Sequence, residues 1–535
     1  MIAVSNGWLA AQSETLQPET FVEITSVVTE PGLQEDAVVT STDEAVFSDT
    51  ASIVFENRYE RTPYRTLEYG QWGLDGSITH FLEDVENQGY VSNTYSNENG
   101  YFAQNPVIRI NFSRIHSDLI PGITITWSEA FDEWASDFKV TAYNSDGIVA
   151  QATVVGNTDV KSIVWFDLIG YSRIEIEIIK WCLPHHRVRC DYVSLGVERT
   201  YTKDDLLGFE YSQLVDLLSA ELPSSSVMFR LRNDDNQWNP DSPQNIEKYL
   251  LEEQKVRVRY GMDIEGKTEW ISGGTFWLSE WNTPANGLEA SFTASDIFSF
   301  MTDPFNDPFE GNLYDLAELV FGYVKLTTPV RSGLVYHIDE SLKEIEVKPI
   351  EANSGYTMAE MLQLVAHAGR CVLYQDREGV IHIEPRSTTY SGYKIDPFVS
   401  YTHPEYTIGK PLRAVAVSYG EDQKLQVEVD IRGEVQTIDN PLIATEADAR
   451  AVAETARDVL TNRKVISGDF RSDLRLDALD NIIVASKYAA NVIHVTEVRL
   501  STTGGGFRGT YVGRVGSTTL DTVKRYSGEF YLNEI

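Results

Sequence analysis

Four residues in one short segment carry the side chains of a possible metal site: Cys182, His185, His186 and Cys190. Two thiolates and two imidazoles would suit a tetrahedral zinc ion. Leu183-Pro184, however, indicates a turn between two strands, and alternation along a strand would point the four side chains to different faces. We therefore predict a structural hairpin here, with zinc binding and a Cys182–Cys190 disulfide as alternatives.

A second polar cluster lies between residues 233 and 243, and its oxygens could bind calcium: Asn233, Asp234, Asp235, Asn236 and Asp241. Its spacing lacks the alternating D-x-[DN]-x-[DN]-G pattern and the distal Glu of known calcium loops. Asn and Asp side chains also stabilise turns by bonding their own backbone. We predict a rigid turn without an ion.

The chain contains few patterns that could support catalysis or nucleotide binding. Gly504, Gly506 and Gly509 satisfy G-x-G-x-x-G, but residues 510–513 read as a strand, whereas a dinucleotide site needs a helix there. We predict a hairpin tip. No G-x-S-x-G, H-E-x-x-H or P-loop occurs. Spacing along the chain cannot identify a glycosidase carboxylate pair. We expect no enzyme activity, catalytic residue, cofactor or bound metal.

Two aromatic residues, Phe131 and Trp134, stand in the polar loop 128–134. Exposed aromatic side chains often mark protein interfaces, and they also stack on sugar rings. The alternative is that they cover the end of a hydrophobic core. We predict that both contact a sugar or a protein partner.

Composition restricts the class of protein. At 535 residues the chain should form several domains, and 42% hydrophobic residues support well-packed cores. The formal charge of −36 repels phosphate, which argues against tight nucleic-acid binding. Three cysteines do not form a disulfide scaffold. The start of the chain does not resemble a signal peptide, and no run reaches the roughly 20 apolar residues of a membrane helix.

The hydrophobic pattern predicts a multidomain, mainly β protein with minor α+β content. Alternating segments follow one another between 47 and 198 and favour a β-sandwich, preceded by an N-terminal arm with one strand at 1–46. Strands at 256–260 and 274–278 belong to a unit at 199–302. A mixed α/β region follows at 303–397, with capping signals at Asn312 and Thr357. The last region, 398–535, adds strands and a helix that begins after Thr445.

Two resemblances follow from these segments. YRTLEYGQWGLDGS (64–77), PGITITWSE (121–129) and YSRIEIEIIKW (171–181) resemble galactose-binding-like jelly rolls, a family of carbohydrate-binding modules. PSSSVMFRLRNDDNQWNPDSP (223–243) with its following strands resembles bacteriophage tail hub proteins. Asn440-Pro441-Leu442-Ile443, the helix and RSDLRLDALDNIIV (471–484) follow the same family's C-terminal order, with Leu474 and Ala478-Leu479 replacing its usual Pro and Leu-Gly.

The hub resemblance implies a structural virion protein, made in the host cytoplasm, at the baseplate or tail tip. Regions 199–302 and 398–535 would be two small, tube-like β-barrels, and a homotrimer would place six of them around the DNA exit channel. Such a hub would join the tail tube or a distal tail protein to the host-recognition apparatus. Its implied partners include the tape measure protein, a tail fibre or receptor-binding protein, and a host glycan. The alternative is a carbohydrate-binding or glycan-degrading protein that acts through the jelly roll.

Overall fold

The structure is a computed structural model that describes residues 1–14, 18–34, 36–55, 64–66, 68–71, 88–242, 246–264, 266–283, 287–327, 334–421, 423–486, 489–502 and 506–516. The chain forms two compact units. The sandwich unit comprises Thr25–Thr200 and Pro243–Lys255. The larger unit comprises Met1–Ile24, Tyr201–Ser242 and Val256–Ile535. The predicted jelly roll at 47–198 lies within the sandwich unit, and the finer division of the larger unit stays a prediction.

The first elements run from the N-terminus to the end of the sandwich strands. In chain order they are α1 Asn6–Ser13, β1 Thr20–Val28, β2 Val38–Ser41, a 3₁₀ turn Thr50–Val54, β3 Tyr90–Tyr95, β4 Val107–His116, β5 Ile120–Thr126, β6 Ala135–Asn144, β7 Gly147–Val154, β8 Lys161–Leu168, β9 Tyr171–Trp181, β10 Arg187–Cys190, β11 Tyr192–Ser194 and β12 Val197–Tyr201. Helix α1 was missed by the sequence pattern; Ser5 caps it by accepting the Trp8 N–H at 3.0 Å.

The sandwich unit packs two antiparallel sheets face to face. One sheet has the order β2-β4-β9-β6-β7 and the other β11-β5-β8, while β10 pairs with β3. Alternate residues of β4, β6 and β9 are buried, as the period of two predicted. They join the inward side chains of the facing sheet in one core around Trp127 and Trp181. A Cβ at Gly122 would lie 1.9 Å from the Val164 carbonyl oxygen, so only glycine fits this close strand approach.

The remaining strands lie in the larger unit, and most of them belong to one long sheet. They are β13 Leu206–Leu214, β14 Ser224–Arg232, β15 Lys255–Ile264, β16 Lys267–Asn282, β17 Glu289–Ser295, β18 Tyr336–Ile338, β19 Cys371–Gln375, β20 Ile381–Pro385, β21 Lys394–Ile395, β22 Glu405–Ile408, β23 Leu412–Tyr419, β24 Gln423–Glu428, β25 Glu434–Asp439, β26 Lys464–Arg471, β27 Asn481–Ala485, β28 Ala490–Thr502 and β29 Phe507–Val515. The long sheet runs β12-β1-β15-β16-β17-β14-β13-β28-β29-β26-β22, with β27 joined to β28 and β21 to β27.

The mainly β, multidomain fold class is confirmed, with one refinement of the two predicted barrels. Strands from 199–302 and strands from 398–535 share one sheet because β13 pairs antiparallel with β28, from Glu210 opposite Ser501 to Leu214 opposite Glu497. Within the described residues neither group of strands closes on itself. After β17 the chain leaves the long sheet and forms most of the region 303–397 outside it. It rejoins the sheet at β21.

Helices and two three-stranded sheets form a separate core in the larger unit. The helices are α2 Leu313–Thr327, α3 Met358–Ala368 and α4 Glu446–Leu460, and the sheets have the orders β18-β20-β19 and β24-β23-β25. Residues of all three helices and both small sheets meet in this core. Short 3₁₀ turns lie at Glu247–Tyr249, Ile297–Phe300 and Glu340–Glu344.

The predicted helix starts are confirmed. Thr357 and Glu360 form a capping box, and Thr445 accepts the Asp448 N–H at 3.1 Å. Helix α3 ends at Gly369. Gly369 has a φ of −76°, while the next residue, Arg370, has the positive φ of 60°. Glycine is needed at 369 because a Cβ would meet Leu342 Cδ2 at 2.3 Å.

Candidate functional site

The segment at residues 398–408, which we call the 398–408 edge, forms the end of the long sheet in the larger unit. Strand β22 within it pairs antiparallel with β26 over all four of its residues. Upstream of β22, the N–H of Tyr401 donates to the Asp469 carbonyl at 3.0 Å, so the segment follows β26 over most of its length. The outer side of β22 has no strand partner among the residues that the structure describes.

Apolar side chains are exposed along the 398–408 edge. Phe398 is 88% exposed, Ile408 is 67% exposed, and Tyr401 and Tyr406 are also exposed. Tyr406 and Ile408 share one face of β22, because side chains two residues apart point the same way. An uncovered sheet edge offers free N–H and C=O groups to another chain, and grouped apolar side chains mark interaction surfaces. The 398–408 edge can therefore bind another chain by strand addition and apolar contact.

The two aromatic residues of the predicted contact site lie at the loop end of the sandwich. Phe131 is half-buried; its ring lies edge-on to Tyr64 at 5.1 Å, and the Arg189 guanidinium is 4.4 Å from its centroid. Trp134 is half-buried against the sandwich core. Tyr69, which is 74% exposed, is the accessible aromatic side chain of the neighbouring segment. The contact role of Phe131 and Trp134 stays a prediction.

A buried polar cluster holds this loop end together. Glu133, 1% exposed, accepts a hydrogen bond from the Trp181 indole at 2.8 Å and bonds to His186 Nδ1 at 2.8 Å. Nε2 of His186 donates to the Tyr69 carbonyl at 2.5 Å. Arg189 forms two parallel bonds with Glu68, at 2.7 and 2.6 Å. The cluster thus fastens the backbone that carries Tyr69 to the end of the sandwich.

The charges in the cluster are matched. Burial opposes protonation of His186, but the hydrogen bond and charge of Glu133 outweigh it, so the pKa of His186 is raised. Burial also opposes the charge of Arg189, yet the bonds and charge of Glu68 raise the pKa of its guanidinium. Both carboxylates are engaged by protein donors. The cluster therefore stabilises the loops rather than presenting a free acid and base.

The four residues considered for zinc do not converge. Cys182 and Cys190 are free thiols, so the disulfide alternative is wrong. Burial raises the pKa of Cys182 to about 11, which keeps it a protonated thiol, and His186 is bonded to Glu133. The predicted hairpin is also wrong, because β10 pairs with β3 and not with β9. His185, with a φ of 60°, turns the chain from one sheet to the other.

The predicted turn that begins at Asn233 and the predicted hairpin tip near Gly506 lie in the larger unit. The Asn233 side-chain oxygen accepts the Trp238 N–H at 3.0 Å, and Asp235 and Asn239 accept backbone N–H groups two residues further on, as in turns. Gly504 lies outside the described residues, while the predicted strand after Gly506 is present as β29. Among the described residues, one set of metal-type ligand atoms converges: those of His337, His382 and Glu384.

Sequence reasoning missed the sandwich cluster and the 398–408 edge. Glu68 and Arg189 are 121 residues apart, and no local pattern pairs them. The edge had a local signal, since the apolar Tyr406 and Ile408 alternate with polar residues in a short segment. No helix in the described part of the chain has both the length and the apolar character needed to span a membrane.

Comparison with known proteins gives distant structural similarities. No protein-family model matches the chain, and no curated protein matches it. The 43 kDa tail protein of prophage MuSo2 from Shewanella oneidensis is similar over 59% of this chain and 94% of that chain, with 12% identity and a TM-score of 0.41. The E. coli c3393 protein, a type VI secretion component described as similar to T4 tail proteins gp27 and gp5, is similar over 58% of this chain and 74% of its own, with 11% identity and a TM-score of 0.37.

A third similarity is to a carbohydrate-binding module. The family 32 carbohydrate-binding module of C. perfringens NanJ, solved with galactose, is similar over 33% of this chain and 99% of that module, with 16% identity and a TM-score of 0.20. The structures most similar to this chain thus include phage tail and type VI secretion components. With TM-scores below 0.5, these similarities do not assign the chain to a family.

Proposed function

We propose that this chain is a structural subunit of a bacteriophage-type tail tip, acting as a hub that joins the tail tube to distal tail proteins. The observation that carries the proposal is the 398–408 edge, where a strand at the end of a long sheet has no partner on its outer side and exposes apolar side chains. Pro404 and Glu405 at the start of β22 are residue types that blunt a sheet edge, but Tyr406 and Ile408 beside them expose apolar side chains. In a closed assembly a neighbouring subunit would cover these side chains.

The assembly that we propose is a homotrimer. Each subunit would contribute two groups of strands, those of 199–302 and those of 398–535, to a ring with six-fold-like symmetry. The shared sheet through β13 and β28 supports this, because it fixes the two groups of strands relative to each other within a subunit. The tape measure protein and a tail fibre or receptor-binding protein are the further partners of this proposal.

The charge of the chain supports a ring that surrounds a passage for DNA. The net charge of −36 comes from 80 acidic and 44 basic residues. An acidic or neutral wall would let a phosphate backbone pass without being retained. The proposal therefore requires the inner surface of the trimer to lack clusters of lysine and arginine.

The direct test is the mass of the purified chain at micromolar concentration, measured by mass photometry and analytical ultracentrifugation. We expect a trimer for the wild type. A Tyr406→Lys/Ile408→Lys variant should be monomeric, because two charges on this edge strand oppose the addition of another strand. Both side chains are exposed, so the variant should keep its circular dichroism spectrum and melting temperature.

The matched control places the same charge on an exposed apolar residue away from the edge. Val155 of the sandwich unit is 76% exposed, and Val155→Lys should leave the trimer intact. A wild-type chain that stays monomeric under all these conditions would contradict the proposal. So would a trimer that the edge variant leaves unchanged, because the contact would then lie elsewhere.

We propose a second role for the sandwich, as a recognition or spacer module without catalysis. The observation in its favour is Tyr69, an exposed aromatic residue whose backbone is fastened by the His186 bond. A side chain on a fixed backbone loses little conformational freedom when it stacks on a sugar or packs against a protein. Tyr69→Ala should weaken binding of the full chain to a glycan array or a tail fibre protein, with Tyr95→Ala, another exposed sandwich tyrosine, as the control. Glycan hydrolysis by the chain would contradict the absence of catalysis.

A further inference from the structure

Three potential metal ligands share one face of the short parallel strand pair β18–β20 in the larger unit. His337 lies directly opposite His382 in the strand register, and Glu384 follows His382 by two residues. Side chains opposite each other, or two residues apart on a strand, point to the same face. The opposite face carries Ile338, Ile381 and Ile383, which are buried. The polar triad is thus held outward by a strand pair that is anchored in the core.

The ligand atoms of the triad lie too far apart for hydrogen bonds and close enough for a shared ion. Nδ1 of His337 is 3.8 Å from Oε2 of Glu384, and Nδ1 of His382 is 4.0 Å from the same oxygen. All three atoms lie within 4.8 Å of one another. A zinc ion with bonds of about 2.0–2.2 Å to nitrogen and oxygen would fit between them after small rotations of the side chains.

The hydrogen bond between His382 and Asp376 determines which ring nitrogen of His382 can bind a metal ion. Its Nε2 lies 3.1 Å from Oδ2 of Asp376, whose other oxygen accepts the Val380 N–H at 2.8 Å. A carboxylate that accepts from Nε2–H leaves a lone pair on Nδ1, as in the carboxylate–histidine–zinc arrangement. That Nδ1 atom is buried and has no hydrogen-bond partner in the described part of the chain. An orphaned buried nitrogen calls for a partner, and this one faces Glu384.

Glu384 is oriented in the same way. The Tyr374 hydroxyl donates to its Oε1 at 2.6 Å, which leaves Oε2 directed at the two histidines. The Tyr374 ring also stacks on His382, with centroids 4.9 Å apart and an angle of 11°. Two of the three ligands are thus held by a second layer of contacts, which is what a preformed metal site requires.

Simple charge pairing does not account for the geometry. If His382 were protonated, its Nδ1–H would still be 4.0 Å from the carboxylate, beyond hydrogen-bond reach. Solvent can reach the triad, because the side chain of His337 is 59% exposed and that of Glu384 is 37% exposed. An ion can therefore enter without opening the fold.

We propose that His337, His382 and Glu384 bind a divalent transition-metal ion, with zinc as the best match to two imidazole nitrogens and one carboxylate oxygen. Water completes the fourth position. The ion would tie β18, a strand of three residues, to the hairpin of β19 and β20. Asp376 is a positioning residue in this site. The proposal is independent of the trimer, since all of its residues lie within one subunit.

The test is zinc binding by the full chain after treatment with a chelator, measured by competition with a chromophoric chelator. We expect one equivalent per chain. His337→Ala and Glu384→Gln should each weaken the affinity by more than 100-fold, while Asp376→Asn should weaken it by about 10–100-fold and keep the stoichiometry. His185→Asn is the control, because His185 is an exposed histidine of the sandwich unit outside the triad, and Asn tolerates its positive φ.

A second readout distinguishes coordination by these residues from loose surface binding. Cobalt in the site should give the visible absorption of a four-coordinate ion, and His337→Ala should abolish that spectrum with the circular dichroism spectrum unchanged. The exposed position of His337 makes this variant a poor candidate for misfolding. Absence of stoichiometric binding by the wild type, or equal binding by a His337→Ala/Glu384→Gln variant, would overturn the proposal.

Discussion

In the two units, His116, His186 and His382 differ in how many of their ring nitrogens have hydrogen-bond partners. In the sandwich unit both nitrogens of His116 bond to carboxylates, Glu30 at 2.7 Å and Asp36 at 3.0 Å, and both nitrogens of His186 have acceptors. In the larger unit one nitrogen of His382 has an acceptor and the other has no hydrogen-bond partner among the described residues. The sandwich satisfies these polar groups internally, whereas the larger unit leaves one open.

The larger unit also carries the two exposed features on which the proposals rest. Its long sheet ends at the exposed 398–408 edge, and its triad of His337, His382 and Glu384 is accessible to solvent. Unsatisfied donors and acceptors cost free energy unless a partner supplies the missing contacts. We infer that the larger unit carries the metal site and the contact between subunits, while the sandwich holds His116 and His186 with its own carboxylates.

The largest expected effect is the loss of the buried ion pair in the sandwich. Arg189→Ala should destabilise that unit by about 3 kcal/mol, because the buried Glu68 would lose its two short bonds and keep the longer 3.6 Å contact with Arg187. The matched control is Lys410→Ala in the larger unit, whose partner Glu434 is exposed; it should cost about 1 kcal/mol or less. Chemical denaturation followed by tryptophan fluorescence measures both. Equal effects would show that the sandwich cluster is not a tightly coupled buried network.

Metal removal should affect the larger unit and spare the sandwich. If zinc is present at 100 times its dissociation constant, it should stabilise the larger unit by about 2.7 kcal/mol, and a chelator should remove that contribution. Differential scanning calorimetry of the full chain, with and without chelator, would show which transition moves. A shift of the sandwich transition alone would contradict the assignment of the site to the larger unit.

Mild acid should weaken the larger unit. Burial, with a further contribution from the charge of Arg386, lowers the pKa of His494 from 6.5 to about 4. The stability that depends on its neutral form is complete above pH 6.5 and is lost as the pH falls from 6.5 towards 4. At pH 5.5 the loss should be about 1 kcal/mol for this group. His494→Gln should reduce the acid sensitivity of the larger unit in calorimetric scans.

The sandwich should respond to pH in the opposite direction. Burial disfavours charged His116 and His186, but hydrogen bonds to Glu30, Asp36 and Glu133 raise both pKa values above 6.5. Their contribution to stability is therefore complete below pH 6.5 and is lost as the pH rises through the raised values. We expect the sandwich transition at a higher temperature at pH 6 than at pH 8. Loss of this trend in His186→Gln would confirm its source, and a wild-type trend of opposite sign would contradict it.

Local signals made much of the fold predictable. The capping residues Thr357 and Thr445 lie three positions from their partners, so the sequence alone indicates where α3 and α4 begin. Strand alternation gave the sandwich for the same reason. The pairing of β13 with β28 joins residues nearly 300 positions apart, and no local pattern encodes it. Arg189 with Glu68, and His337 with His382, likewise become neighbours only through tertiary structure.

The double substitution at the 398–408 edge is expected to change stability least and to be the most informative about function. Tyr406→Lys/Ile408→Lys should change the melting temperature little, because both residues are exposed, yet it should abolish assembly. The decisive measurement is the mass of the wild-type chain and this variant, side by side, at micromolar concentration. A wild-type trimer and a folded, monomeric variant are the predicted results. A wild-type monomer, or a variant with the wild-type mass, would contradict the account of the 398–408 edge as the contact between subunits.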